Sequence, residues 1–229
     1  MNRFPQRLLR NGLVILLSLF IILPSIAADA TKSTSGKISS DLSLPLIIES
    51  GSRLWYDGNS TLHPFSATAT QADLYIKIPS QEASQLATQF EKTINALVKG
   101  NKVKVLTVTI PVKGLKSGDG VLDNNMYNAL KAQEYPNITY QMVSANLQNY
   151  NPDTKTYSLK TVGNLTIASK TNKIEMDITL HQLGNGWLEI SGEKQVLMKD
   201  YSLEPPTIML VVRVFNEFQV KFKLIVGAV

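Results

Sequence analysis

Residues 105–142 read VLTVTIPVKGLKSGDGVLDNNMYNALKAQEYPNITYQM, and this stretch decides the fold of the chain. The segment 105–112 is apolar and β-branched, which predicts a strand that is buried on one or both faces. Three glycines follow within 113–120, so the backbone can turn sharply there. A second strand, 138–142, begins soon afterwards and alternates apolar with polar residues.

A short helix, predicted at about 123–131, lies between the glycine-containing loop and the second strand. Asp123 or Asn124 is expected to cap it. The dipeptide Tyr135-Pro136 ends it, because the residue before a proline is disfavoured in the helical region. A helix this short is unstable by itself, so it must pack against an apolar surface. The open end of a β-barrel offers such a surface.

The remaining strands are predicted from alternating apolar and polar residues with turn signals between them. The clearest are 157–167 and 174–180, and the chain closes with two strands, 208–214 and 218–226, which are separated at Asn216. In total the pattern predicts about eight antiparallel strands and no βαβ rhythm. The fold class is therefore all-β, either a sandwich or a barrel.

One longer amphipathic helix is predicted over residues 80–98. Its apolar residues recur every three or four positions and form one stripe, Glu82 lies in the first turn, and Gly100 follows the last turn. A stripe of this kind packs against a core more often than against a partner protein. We expect the helix to lie across one end of the barrel or against its wall.

The N-terminus has the three parts of a secretory signal peptide. Three arginines precede an apolar run, residues 13–23, which is shorter than the about 20 residues that span a membrane. Cleavage is predicted after Ala28 or Ala30, and the alternative is an uncleaved membrane anchor. We predict an exported protein, periplasmic or secreted, with no stable membrane span after cleavage. The predicted parts are a signal peptide (1–28), a flexible leader (29–45) and a barrel domain (46–229).

The composition limits the chemistry that the chain supports. Its 229 residues are 44% hydrophobic and 18% charged, which suits one globular domain with a sizeable core. The absence of cysteine excludes disulfides, thiolate metal ligands, thiol nucleophiles and a lipidated cysteine. The net charge of +5 falls to +2 without residues 1–28, which contain three arginines and no acid. No basic patch is interleaved with aromatic residues, so we predict no binding to nucleic acid.

Motifs for catalysis are missing from the sequence. The chain has two histidines, His63 and His181, and no HExxH or comparable spacing for a zinc site. It contains no GxSxG elbow of a serine hydrolase, no phosphate-binding P-loop and no GxGxxG fingerprint. We therefore predict that the protein is not an enzyme and that it uses no metal and no cofactor.

Five blocks of the sequence resemble the YceI-like domain family, which comprises lipocalin-like β-barrels. They keep the order of the family and lie between Leu46 and Val226. The blocks are VTIPVKGLKSGDGVLDNNMYNALKAQEYPNITY at 108–140, WYDGNSTLHPF at 55–65, VGNLTIASKTNKIEMDI at 162–178, MKDYSLEPP at 198–206 and FQVKFKL at 218–224. The resemblance implies an eight-stranded antiparallel lipocalin-like β-barrel.

The pattern alone leaves open whether the barrel is hollow. Small residues such as Thr161 and Gly163 face inward and leave space, which either a ligand or other side chains fill. The resemblance implies that a ligand fills this space, because YceI-like proteins are exported barrels that hold an isoprenoid or another long-chain lipid. The alternative is a cell-envelope or stress-associated docking barrel with a solid interior, no lipid and an exposed apolar patch. The sequence indicates no oligomeric state.

Strand alternation predicts which side chains line a lipid tunnel. The nine predicted lining residues are Tyr140, Met142, Leu159, Leu165, Met176, Ile178, Phe218, Val220 and Phe222. Three polar residues in the family-like blocks, His63, Lys116 and Asp200, are candidates for contacts with a lipid head group at the mouth. Asp119, from the same blocks, is interpreted as a turn residue.

Overall fold

The computed structural model describes residues 41–86, 88–103, 105–208 and 211–228. The predicted signal peptide, its cleavage sites and the predicted leader up to residue 40 lie outside the described residues. The described strands are β1 (Asp41–Ile48), β2 (Arg53–Ser60), β3 (Phe65–Ala69), β4 (Asp73–Pro79), β5 (Val105–Pro111), β6 (Leu115–Lys116), β7 (Asn137–Asn151), β8 (Thr156–Ile167), β9 (Lys170–Gly184), β10 (Trp187–Leu197), β11 (Thr207–Ile208) and β12 (Val212–Ala228). The described helices are α1 (Ser80–Leu86), α2 (Phe90–Lys99) and α3 (Gly120–Ala129).

Eight antiparallel strands close into a barrel, as predicted. The order around the ring is β1, β4, β5, β7, β8, β9, β10 and β12, and β12 pairs with β1 again. The closing contact is short and joins Leu46–Ile48 of β1 to Val226–Ala228 of β12. Beyond this contact β12 pairs with β2 instead, and β3 and β6 extend that side of the wall.

The barrel domain begins earlier than predicted. Residues Asp41–Pro45, assigned to the flexible leader, form the first part of β1 and pair with β4. Leu44, Leu46 and Ile48 of β1 pack against the core cluster. The prediction was wrong because the Ser- and Lys-rich composition before Asp41 hid a short alternating pattern, which a neighbouring strand makes stable.

The helix predicted at 80–98 is two helices. α1 ends at Leu86 and α2 begins at Phe90, so the prediction of one continuous helix was wrong. A straight helix of that length would extend about 28 Å. Instead, α1 contacts β1 and β4 while α2 contacts β7, so the break lets the chain bend across one end of the barrel.

Two further boundaries differ from the predictions. α3 starts at Gly120, and its cap is Asp119, whose carboxylate accepts hydrogen bonds from two backbone amides of the first turn. Asp123 and Asn124 are therefore inside the helix. The predicted strand 218–226 and the last three residues of the predicted strand 208–214 form one strand, β12, with an irregularity between Val214 and Phe218 in place of the expected break at Asn216. Ile208 belongs to β11, which pairs with β12, and residues 209–210 lie outside the described residues.

Candidate ligand-binding cavity

Three apolar cavities follow one another inside the barrel. The central cavity has a volume of about 160 Å³, the α2-side cavity about 80 Å³ and the α3-side cavity about 120 Å³. Each is many times the about 10–15 Å³ that one water molecule needs. The central cavity shares Met142 and Ile178 with the α2-side cavity, and Tyr56 and Val220 with the α3-side cavity. The three cavities therefore form a row inside the barrel from α2 to α3.

All nine predicted lining residues face these cavities. Leu159 lines the α2-side cavity and Phe218 lines the α3-side cavity. The other seven line the central cavity: Tyr140, Met142, Leu165, Met176, Ile178, Val220 and Phe222. Period-two alternation thus identified the inward face, while the role of these side chains as lipid contacts stays a prediction.

Glycines in the wall help to keep the central cavity open. A Cβ atom added at Gly163 would lie 2.5 Å from the hydroxyl oxygen of Tyr140, and one added at Gly192 would lie 2.7 Å from the ring of Phe222. Both aromatic rings therefore lie close to a glycine of a neighbouring strand, where a side chain would collide with them. The rings cover the wall and leave the space beside them free.

Two inward-facing hydroxyl groups differ in their hydrogen bonding. The hydroxyl of Thr161 is buried and donates to the carbonyl oxygen of Met176 at 2.8 Å. The hydroxyl of Tyr140 is also buried but has no hydrogen-bond partner within the described residues. Burial raises the pKa of Tyr140, and the nearby Thr161 side chain opposes this rise only in part. The barrel interior thus contains one buried hydroxyl that has no hydrogen-bond partner among the described residues.

Polar contacts hold α3 over the end of the barrel. Lys116 donates to the hydroxyl of Tyr127 at 2.7 Å, and that hydroxyl donates to the carbonyl oxygen of Leu115 at 2.7 Å. The hydroxyl of Tyr56 donates to the sulfur of Met126 at 2.8 Å. The hydrogen bond to Tyr127 raises the pKa of Lys116, which the charge of Asp123 also favours. Lys116 therefore contributes to the attachment of α3.

The three predicted mouth residues do not come together. His63 is exposed in the turn between β2 and β3, and its Nδ1 lies 2.8 Å from the carbonyl oxygen of Pro64. His63 and Lys116 are absent from the described lining of the three cavities. Asp200 is exposed in the 3₁₀ turn Met198–Tyr201, next to an opening in the barrel wall.

This opening, called the lateral slot below, lies between β9 and β10. The two strands pair only as far as Ile178 and Gly192. Beyond that point, within the described residues, the start of β9 pairs with β8 and the end of β10 pairs with β12, and no pairing joins β9 to β10. The slot shares Ile174, Lys194 and Val196 with the central cavity. The slot therefore lies next to the central cavity, on the outer side of these three residues.

Sequence reasoning missed Lys194. The inward positions of β10 are Leu188, Ile190, Gly192, Lys194 and Val196, so a lysine interrupts an apolar row. The signal was available from the period-two pattern, because a charged residue at an inward position of a strand is rare unless it has a function or a partner. Only the slot explains how the lysine reaches solvent.

The described residues offer apolar contact and little reactive chemistry. Within this part of the chain no group of three histidine or acidic side chains lies close enough to hold a metal ion. Among the same residues no helix is both long and apolar enough to cross a membrane. The geometry is that of a container for an apolar molecule.

A family model for the YceI-like domain matches residues 65–226, which is more than half of the chain. The chain belongs to the YceI-like domain family. Among solved structures, the chain is similar to BcnA of Burkholderia cenocepacia, with 16% identity, a TM-score of 0.54, and coverage of 76% of this chain and 96% of BcnA. It is also similar to a polyisoprenoid binding domain from Saccharophagus degradans implicated in plant cell wall breakdown. That match has 13% identity and a TM-score of 0.57, and it covers 81% of this chain and 99% of that domain.

At these identities the two structures show the YceI-like fold and no more. No curated protein matches the sequence.

Proposed function

We propose that this YceI-like protein is an exported carrier that holds an isoprenoid or another long-chain lipid inside its barrel. The observation that carries the proposal is the row of apolar cavities from α2 to α3. A side-chain-filled barrel would have no such space. The polyisoprenoid binding domain with the same fold supports an isoprenoid as the first ligand to test.

The energetics of a hydrocarbon chain fit this role. Each methylene group moved from water into the cavity contributes about 0.8 kcal/mol, and lost rotational freedom offsets part of the total. An exported carrier keeps such a chain away from water between two membranes or enzymes. The signal-peptide pattern in residues 1–28 supports export.

The docking-barrel alternative requires a solid interior, so the cavities weigh against it. Catalysis lacks support in the cavity, whose surface is apolar. We therefore propose binding and transport without chemical change of the ligand.

Mass spectrometry on the mature protein from its own source tests the proposal. We expect a stoichiometric isoprenoid or fatty species in the native spectrum that disappears after solvent extraction. The extracted protein should take up an added prenyl chain. A protein that is empty when isolated and that also takes up no added chain would overturn the proposal.

A further inference from the structure

Lys194 lines both the apolar central cavity and the polar slot. Its side chain is half-buried and lies between Gly192 and Val196 on the inward face of β10, opposite Val220 of β12. No polar atom contributes to the surface of the central cavity. The methylene stem of Lys194 therefore lines the cavity, and its ammonium group lies on the side of the slot.

The ammonium group of Lys194 is not neutralised by the protein. Within the described residues it has no ion pair and no hydrogen bond. Lys173, Glu175 and Asp200 are the other charged residues that line the slot. Glu175 is already paired with Lys160 at 3.2 Å, and Asp200 is exposed. The ammonium group of Lys194 therefore lies beside an apolar cavity and forms no ion pair within the described residues.

We propose that the lateral slot binds the anionic head group of the lipid, a carboxylate or a phosphate, and that Lys194 recognises it. This inference rests on the proposed carrier function, because it gives a binding site to the head group of the same lipid whose chain lies in the barrel. Ile174 and Val196 line both the central cavity and the slot, so a chain that fills the cavity has its end beside them. Its head group then meets the ammonium group where the apolar lining ends.

The physical reason is the environment of the lysine. A hydrogen bond between an ammonium and an anion is about twice as strong as a neutral one, and it is shorter. The apolar side chains beside Lys194 exclude part of the water that would weaken the interaction. An uncharged head group, such as an alcohol, gains less from the same contact. The slot should therefore select lipids by the charge of the head group.

Binding of matched ligand pairs to the delipidated protein tests this inference. The pairs are palmitate with hexadecanol, and farnesyl monophosphate with farnesol, so that chain length is constant and only the head group changes. We expect the anionic member of at least one pair to bind about tenfold to hundredfold more tightly than the alcohol. The pair that shows the larger ratio distinguishes a carboxylate from a phosphate.

The variant Lys194→Met keeps the apolar stem and removes the charge. We expect the ratio of anion to alcohol affinity to fall to about one, while Lys194→Arg restores most of it. Lys77→Met is the matched control, because Lys77 is exposed on β4 and is absent from the described lining of the slot and of the three cavities. Its affinity ratio should stay at the value of the unchanged protein. Thermal unfolding of each variant reports whether the barrel is intact.

Two results would overturn the inference, and they differ in meaning. Equal affinity for anion and alcohol, or an unchanged ratio in Lys194→Met, would show that the slot does not recognise an anion while the carrier function stands. Binding of none of the four ligands would remove the carrier function and the inference together.

Discussion

Two buried tyrosines of the barrel differ in the contacts of their hydroxyl groups. The hydroxyl of Tyr157 donates to the side-chain oxygen of Asn95 on α2, and its ring stacks on Tyr150. The hydroxyl of Tyr140 has no partner within the described part of the chain. An unsatisfied buried hydroxyl costs about 1–3 kcal/mol of folding free energy, whereas a satisfied one contributes about 1 kcal/mol. The hydroxyl of Tyr140 therefore lowers the free energy of unfolding of the barrel.

The variant Tyr140→Phe should raise the free energy of unfolding by about 1 kcal/mol, because it removes the unsatisfied hydroxyl and keeps the ring over Gly163. Urea denaturation measures the change. The comparison variant Tyr157→Phe loses its hydrogen bond to Asn95 and should lower the same free energy by about 1 kcal/mol. A loss of stability in Tyr140→Phe would mean that its hydroxyl has a partner.

Met142 lies where the central and α2-side cavities meet, and only 4% of its surface is exposed. Met142→Trp should fill this junction and abolish the co-purification of lipid, with a stability cost of about 1–3 kcal/mol from overpacking. Mass spectrometry measures the lipid, and circular dichroism should retain its β-type spectrum. Val143→Trp is the control, because Val143 is 53% exposed on the outward face of β7. Unchanged lipid content in folded Met142→Trp would show that the lipid does not occupy the junction at Met142.

At the scale of elements, the loop before α3 is fixed by one carboxylate. Asp123 accepts hydrogen bonds from the backbone amide and the hydroxyl of Ser117, both at 2.7 Å, and the ammonium of Lys116 lies 3.7 Å away. Burial acts to raise the pKa of Asp123, but the two hydrogen bonds and the charge of Lys116 outweigh it, so the pKa is below its ordinary value. The ionised form of Asp123 is therefore favoured more strongly in the folded protein than in the unfolded chain.

This lowered pKa makes the stability of the protein depend on pH. The contribution of Asp123 is complete above the ordinary pKa of an aspartate and is lost as the pH falls through the lower pKa of the folded state. Asp123→Asn should therefore be less stable than the unchanged protein at pH 7 and should lose less stability on acidification. Urea denaturation from pH 7 to pH 3 measures both effects.

Asp119→Asn is the matched control for this prediction. Asn caps a helix about as well as Asp does, so the free energy of unfolding at pH 7 should change by less than about 1 kcal/mol. An equal loss of stability in the two variants would mean that Asp123 has no special role in the loop.

The sequence predicted those elements whose structure depends on local pattern. β8 and β9 alternate over many residues, and their inward faces follow from that alternation alone. The break between α1 and α2 depends instead on the curvature of the barrel end, which no stripe of apolar residues records. Residues Asp41–Pro45 of β1 were assigned to the leader for the same reason, because the stability of this strand comes from β4 and β12.

The candidate site was predictable only in part, because its entrance is a non-local feature. The lining residues follow from strand alternation, which the sequence shows directly. The place where β9 and β10 separate depends on the geometry of the closed ring, so the sequence did not show it. Of the predicted mouth residues His63, Lys116 and Asp200, Asp200 lines the slot, and the other two are absent from its described lining. Knowledge of the slot would have pointed to Lys194, the charged residue in an otherwise apolar row.

At the scale of the whole molecule, closure of the barrel depends on the strand nearest the N-terminus. β1 lies between β4 and β12, and three of its residues, Leu44, Leu46 and Ile48, pack against the core cluster. Without β1 the ring would open, and β4 and β12 would each expose an unpaired edge. The barrel is thus completed by residues that precede the matched family region, 65–226.

Two truncations test this dependence. A chain that begins at Asp41 should keep the full free energy of unfolding, because all eight strands of the ring remain. A chain that begins at Arg53 lacks β1 and should lose at least about 3 kcal/mol, since three apolar side chains leave the core. Urea denaturation measures the difference, and light scattering should detect association of the shorter chain. Equal stability of the two would show that β1 is dispensable.

The separation of β9 from β10 also bears on how fast a ligand is exchanged. A chain inside a tube that opens only at its end must leave lengthwise, atom by atom. A chain beside a seam in the wall can leave sideways, and no backbone hydrogen bond between β9 and β10 has to break there for it to do so. The barrier to release is then the exposure of the hydrocarbon to water rather than the opening of the wall. Delivery to an apolar acceptor held against the seam would be rapid even though the barrel itself stays folded.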